Sequence, residues 1–134
     1  MRTWRLLCLI LLTAVFSLKG QEKTAAGIEF DTLTYDFGLL EKGSPAICTF
    51  DFVNKGKQPL VITRVKSSCG CMVPEWPRQP FAPGEKGSIK VQYNTQITGS
   101  FQKTIYIYTS QHTQPLVLSI QGAVRKKSKR RKSY

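Results

Sequence analysis

The 134-residue sequence predicts an all-β fold, a sandwich of about seven short antiparallel strands, and three observations predict it. From Ile28 onward apolar residues recur with period two, the spacing that buries one face of a strand. Gly, Pro and Asn gather between these runs, where turns need them. No stretch of the body carries convincing helical spacing. At 41% hydrophobic and 21% charged, the chain has the composition of one packed domain.

The chain opens with Arg2 and Arg5, followed by the uncharged residues 6–18. This run is short of the ~20 apolar residues that span a bilayer. It matches the apolar region of a secretory signal peptide, so residues 1–20 read as an export segment cut near Gly20. Ser17 and Ala26 are the other small residues at which a cut would fit. Cys8 lies inside the run, too early to become a lipidated residue after cleavage. The expected location is outside the cytoplasm, periplasmic or extracellular, with no membrane span left after cleavage.

The domain is expected over residues 28–124. Ile28, Phe30 and Thr32 alternate with Glu29 and Asp31. Ala46, Cys48, Phe50 and Phe52 form a second inward set, with Ile47 and Val53 facing out. Residues 60–65 are a β-branched run, and Ile89, Val91 and Tyr93 alternate with Lys90 and Gln92. Ile105 and Ile107, then Leu116, Leu118 and Ile120, complete the pattern. Turns are expected at Gly43-Ser44-Pro45, at Ala82-Pro83-Gly84-Glu85, around Gly99, and at Asn54-Lys55-Gly56-Lys57, where Gly56 is free to take positive φ in a hairpin-type turn. Regular short strands with such turns describe an immunoglobulin-like β-sandwich, with a small Greek-key barrel as the alternative. The pinned disulfide of antibody domains is not implied, because no cysteine follows Cys71.

Three cysteines belong to the body: Cys48, Cys69 and Cys71. Cys48 shares a face with Phe50 and Phe52 and reads as a small buried hydrophobe. Cys69-Gly70-Cys71 follows a strand, and Pro74 and Pro77 predict a loop beyond it. Gly70 would let the backbone fold tightly enough to bring the two sulfurs together. Three readings stay open. The pair could close a tight, reducible disulfide. It could bind a soft metal such as Cu(I), with Met72 as a third sulfur. It could simply pack at the end of the sandwich. A structural zinc site wants four ligands, and only His112, on an apparent loop, is left to add to the pair. Trp76, in the same Pro-bracketed segment, is either a contact residue or a cap over the open end of the sandwich.

The charge sits at the ends. Arg125, Lys126, Lys127, Lys129, Arg130, Arg131 and Lys132 put seven positive charges into residues 125–132. Residues 28–124 hold nine Lys or Arg and seven Asp or Glu, leaving +2 out of a chain total of +12. Residues 125–134 therefore read as a solvated, disordered basic tail. Solubility is one role for it and contact with a polyanion is another; nucleic acid is not expected, given export and the lack of interleaved aromatics.

The landmarks Tyr35-Asp36-Phe37-Gly38, Phe50-Asp51-Phe52-Val53-Asn54-Lys55-Gly56, Pro59-Leu60-Val61-Ile62, Ser68-Cys69-Gly70-Cys71, Pro74-Glu75-Trp76-Pro77, Pro83-Gly84-Glu85 and Ser119-Ile120-Gln121-Gly122-Ala123-Val124 stand in one order. In this the sequence resembles the bacterial domain of unknown function 1573 family across residues 28–124. The resemblance implies an immunoglobulin-like sandwich related to ASPM-SPD-hydin and periplasmic chaperone-like domains, in an exported protein, commonly of the Bacteroidetes group. It carries over Cys69, Gly70 and Cys71 as the family signature and brings no activity with it.

Function follows in two forms. There is no Gly-rich phosphate loop, no Ser/His/Asp set at a recognisable spacing and no His-rich metal box, so no hydrolase, kinase or dehydrogenase is predicted. The first expectation is a noncatalytic module, without cofactor, that contacts an envelope or extracellular protein or surface, with Cys69, Gly70, Cys71 and Trp76 as candidate contacts. The second is thiol-redox or Cu(I) chemistry, with Cys69 and Cys71 as candidate ligands.

Overall fold

The computed structural model describes Thr24, Ala25 and residues 27–127. The export segment over residues 1–20 with its cut near Gly20, the alternative cut at Ala26, and the basic run beyond Lys127 lie outside the described residues.

Nine strands follow one another in the described residues: β1 (Thr24–Ala25), β2 (Ile28–Phe30), β3 (Thr34–Glu41), β4 (Ile47–Asn54), β5 (Ile62–Ser67), β6 (Met72–Glu75), β7 (Lys86–Tyr93), β8 (Gly99–Thr109) and β9 (His112–Arg125). They form a five-stranded sheet, β1-β2-β4-β7-β6, facing a four-stranded sheet, β3-β9-β8-β5. The all-β, immunoglobulin-like sandwich is thus as predicted, with alternation marking the inner faces. Cys48, Phe50 and Phe52 on β4, Ile89, Val91 and Tyr93 on β7, Ile105 and Ile107 on β8, and Leu116, Leu118 and Ile120 on β9 are all buried. Burying each large side chain contributes about 1.5–3 kcal/mol, which makes this shared interior the main cohesive element.

The structure has more strands than the alternation shows, and one pairing is parallel. β3 runs parallel to β9, with Thr34 opposite Ser119 and Glu41 opposite Arg125. The link from β2 into β3 takes the chain from one sheet to the other, so no hairpin constrains the direction of this pair. β3 is an edge strand, exposed along most of its length, and its register shifts between Asp36 and Leu39. β6 was masked by Pro74, which predicts a loop; it is instead the edge strand beside β7. An edge is where a sheet tolerates proline. His112 likewise opens β9 rather than lying in a loop, its Nδ1 2.7 Å from the Gln114 carbonyl oxygen.

The turn at Asn54 also differs from expectation. The connection from β4 to β5 changes sheets, so it is no hairpin, and Gly56 is not among the glycines with positive φ. The Asn54 side chain organises it. Its amide Nδ2 donates to the carbonyls of Gln58 and Phe81, both at 2.9 Å, and its Oδ1 accepts from the Gly56 N–H at 2.9 Å. Asn54 is fully buried, and these bonds satisfy its amide within the core.

Candidate functional site

The Cys69-Gly70-Cys71 segment is one of the bridges between the sheets. β5 and β6 are edge strands of opposite sheets, and residues 68–71 carry the chain from one to the other. The turn is held on both sides. Ser68 N–H donates to the Thr104 carbonyl at 2.9 Å, and Thr104 N–H donates to Ser68 Oγ at 3.1 Å. Ser67 Oγ donates to the Cys69 carbonyl at 2.8 Å, and Asn94 N–H donates to the Cys71 carbonyl at 2.9 Å. Cys69 and Cys71 are joined by a disulfide, with their Cα atoms 5.3 Å apart. Both residues are half-buried and pack against the core.

Gly70 has a different role from the one the sequence suggests. Its φ is not positive, and a Cβ placed on it would meet nothing within 4 Å. The turn therefore does not require glycine at this position; Gly70 is exposed on the outside of the bridge.

Two connections distant in sequence meet the bridge at this end of the sandwich, and the end of β9 joins them. Lys42 N–H, after β3, donates to the Arg125 carbonyl at 2.9 Å, and Gly43 N–H donates to the Thr95 carbonyl at 3.3 Å. Thr95 Oγ1 donates to the Ser44 carbonyl at 2.6 Å. Between them lies an open groove of about 500 Å³, walled by Ser44, Ala46, Cys71, Val73, Gln92 and Thr95 among others. Tyr93 stacks on Phe101 beneath it, ring centroids 3.9 Å apart, and burial holds its phenol above the usual tyrosine range. Val73 and Ile47 flank Gln92 across the outer face, each paired with it in register and each about half exposed.

The other singled-out residues lie elsewhere. Trp76 follows β6, whose four residues separate it from Cys71 by about 13 Å of strand. It is half-buried against the core, with the Arg78 guanidinium 4.0 Å over its ring. It is therefore not part of the groove. Met72, named with the cysteines as a third sulfur, is buried in the core. His112 stands beyond the start of β5, near Ser110, whose N–H donates to the Val61 carbonyl, whereas the cysteines follow the end of β5. Cys48 is a free, buried thiol whose pKa burial pushes up to about 11. With Cys69 and Cys71 joined, thiolates for a soft metal exist only after reduction. The groove walls were not legible in the sequence: Gly43-Ser44-Pro45 and residues 94–96 signal turns, but nothing local says that these turns meet.

The family model described as protein of unknown function (DUF1573) matches residues 28–124. A search of curated proteins finds no sequence match. Among solved structures, a protein of unknown function from Porphyromonas gingivalis is similar at 16% identity and TM-score 0.64, over 75% of this chain and 49% of that one. The chain thus spans about half the length of that relative. The ASH / PapD-like domain of human CEP192 is similar at 8% identity and TM-score 0.66, over 86% of this chain and 98% of the domain. A Caenorhabditis elegans MSP family member matches at 11% identity and TM-score 0.53, over 75% of this chain and 100% of that one. At these identities the likeness is one of fold. The match across nearly the whole sandwich is one of sequence, and by it the chain belongs to the DUF1573 family of proteins of unknown function.

Proposed function

We propose that this protein is an exported, noncatalytic interaction module that contacts an envelope or extracellular partner through the end of the sandwich carrying Cys69, Gly70 and Cys71. One observation carries the reading: the inter-sheet bridge, the groove and an exposed glycine that the turn does not require all meet at this end. Glycine is used where another backbone approaches closely, and Gly70 faces outward beside the groove. The disulfide then fixes the shape of the bridge. Photo-reactive residues placed at Val73 and Gln92, and at Val117 and Lys66 as controls, test this in the producing cell. Adducts confined to Val73 and Gln92, and weakened by Gly70→Val, are expected. Adducts of equal strength at Val117 would overturn the reading.

A second reading is thiol exchange at Cys69 and Cys71, favoured by a disulfide that closes over a single intervening residue and is half-buried at a groove rim. The same experiment separates the two. In a Cys69→Ser/Cys71→Ser chain the module keeps its adducts, whereas an exchange partner held through sulfur is lost.

A further inference from the structure

The two sulfurs of the bridge have different surroundings. Cys71 lines the groove and Cys69 does not. Gly70 lines it beside Cys71, with no side chain to shield that sulfur. At about 500 Å³ the groove falls in the range of clefts that accept a ligand. None of the residues that wall it is charged, so no carboxylate there repels an incoming thiolate.

Cys69 has a different neighbour. Ser67 pairs with Ile105 across β5 and β8, and Ser68 N–H donates to the Thr104 carbonyl. Continued by one residue, this register sets Cys69 opposite Lys103. Both belong to the inner side of the sheet. Cys69 packs against the core, and Lys103, half-buried, stands between the buried Phe101 and Ile105 on that side. Residues directly opposite on neighbouring strands have Cβ atoms about 4.5–5.5 Å apart. Lys66, closer in sequence, is exposed on the outer face. β5, β8 and β9 hold no Asp or Glu, and Lys103 takes part in no ion pair among the described residues. Its ammonium is therefore free to meet a negative charge forming at Cys69 Sγ.

In thiol–disulfide exchange a thiolate attacks one sulfur and the other departs. The reaction favours an accessible target and a leaving thiol that is stable as the thiolate. Access selects Cys71 for attack, and Lys103 selects Cys69 for departure. Resting on the second reading above, thiol exchange, we propose that a polypeptide thiol entering the groove attacks Cys71 Sγ and expels Cys69 as a thiolate beside the Lys103 ammonium. The substrate class is a polypeptide dithiol. Its first thiol gives its proton to water and bonds to Cys71 as the Cys69–Cys71 bond breaks. Cys69 then takes up a proton. The second substrate thiolate attacks the first substrate sulfur and expels Cys71, which is protonated in turn. The substrate dithiol is oxidised to its disulfide, and the Cys69–Cys71 disulfide is reduced to two thiols. Lys103 is a positioning residue that acts through Cys69.

The test uses the oxidised chain and a short capped peptide carrying one cysteine. The reaction is trapped with maleimide at early times and mapped by fragmentation mass spectrometry. The peptide is expected on Cys71 and the maleimide on Cys69. Lys103→Gln should slow adduct formation about threefold and weaken the preference for Cys71, and Lys103→Arg should restore both. Adducts on Cys69 in equal or greater yield overturn the proposal and leave thiol exchange standing. So does a Lys103→Gln chain as fast as the wild type, or a Lys103→Arg chain as slow as Lys103→Gln. No adduct on either cysteine overturns the proposal and thiol exchange together.

Discussion

Gly87 stands on β7 opposite Phe52, and a Cβ there would fall 2.6 Å from the Phe52 Cζ and 2.6 Å from the Phe81 Cε1. Both rings are buried and meet edge to face, centroids 5.1 Å apart, so neither can withdraw freely. Gly87→Ala is therefore expected to cost about 1–3 kcal/mol through overpacking. The drop in urea midpoint measures it, and an unchanged midpoint would show that the rings repack without cost. Cys48 carries a different consequence. Burial favours its neutral form, so its pKa in the folded protein, about 11, lies above the ~8.5 of an unfolded thiol. The resulting stabilisation is complete below about 8.5 and is lost as pH rises toward about 11. Unfolding free energy should fall across that interval more steeply in the wild type than in Cys48→Ala. Identical slopes would mean that the thiol is not shielded.

At the scale of elements, edge strands explain both what the sequence reveals and what it hides. β4, β7, β8 and β9 are central, each buried on one face, and their alternation is legible residue by residue, as in Cys48, Phe50 and Phe52. β3 has no such signature because little of it is buried. Its bend is built locally instead: Gly38 N–H donates to Asp36 Oδ1 at 2.7 Å, and Gln121 Nε2 donates to Asp36 Oδ2 at 2.8 Å. Those bonds, the one from Gln121 foremost, hold the Asp36 carboxyl below its ordinary pKa. β6 is hidden by Pro74, yet the proline fits. Cys71 accepts from Asn94, so alternate residues Val73 and Glu75 turn their backbone toward β7, while Met72 and Pro74 face the open edge. Pro74 therefore removes no ladder bond and deprives the edge of a donor that another strand would use. Pro74→Thr should leave stability nearly unchanged and increase self-association, read by sedimentation at rising concentration. A large loss of stability with no association would mean that the ring acts through packing instead. The groove stayed unread for another reason: its walls come from connections after β3, β5 and β7, and only the finished topology assembles them.

For the molecule as a whole, the question is whether the core or the disulfide holds the sheets together. The core spans both sheets without a covalent link between them: Phe30, Phe50 and Ile89 from one side meet Ile105, Leu118 and Ile120 from the other, all fully buried. The disulfide closes a ring between residues only two apart. Chain-entropy stabilisation grows with the logarithm of loop length, so a ring this small contributes about 1.5 kcal/mol, against about 3 kcal/mol for a fifteen-residue loop. Reducing Cys69–Cys71, or replacing both with Ser, should therefore lower the melting temperature by on the order of 10 °C and leave unfolding cooperative. Near-ultraviolet dichroism from the packed Trp76 and Tyr93 should persist in the reduced chain. Collapse of that signal on reduction would place the disulfide among the determinants of the fold. Its persistence would leave the pair as a local feature of the bridge, whose opening and closing reshape one wall of the groove while the sandwich stays folded.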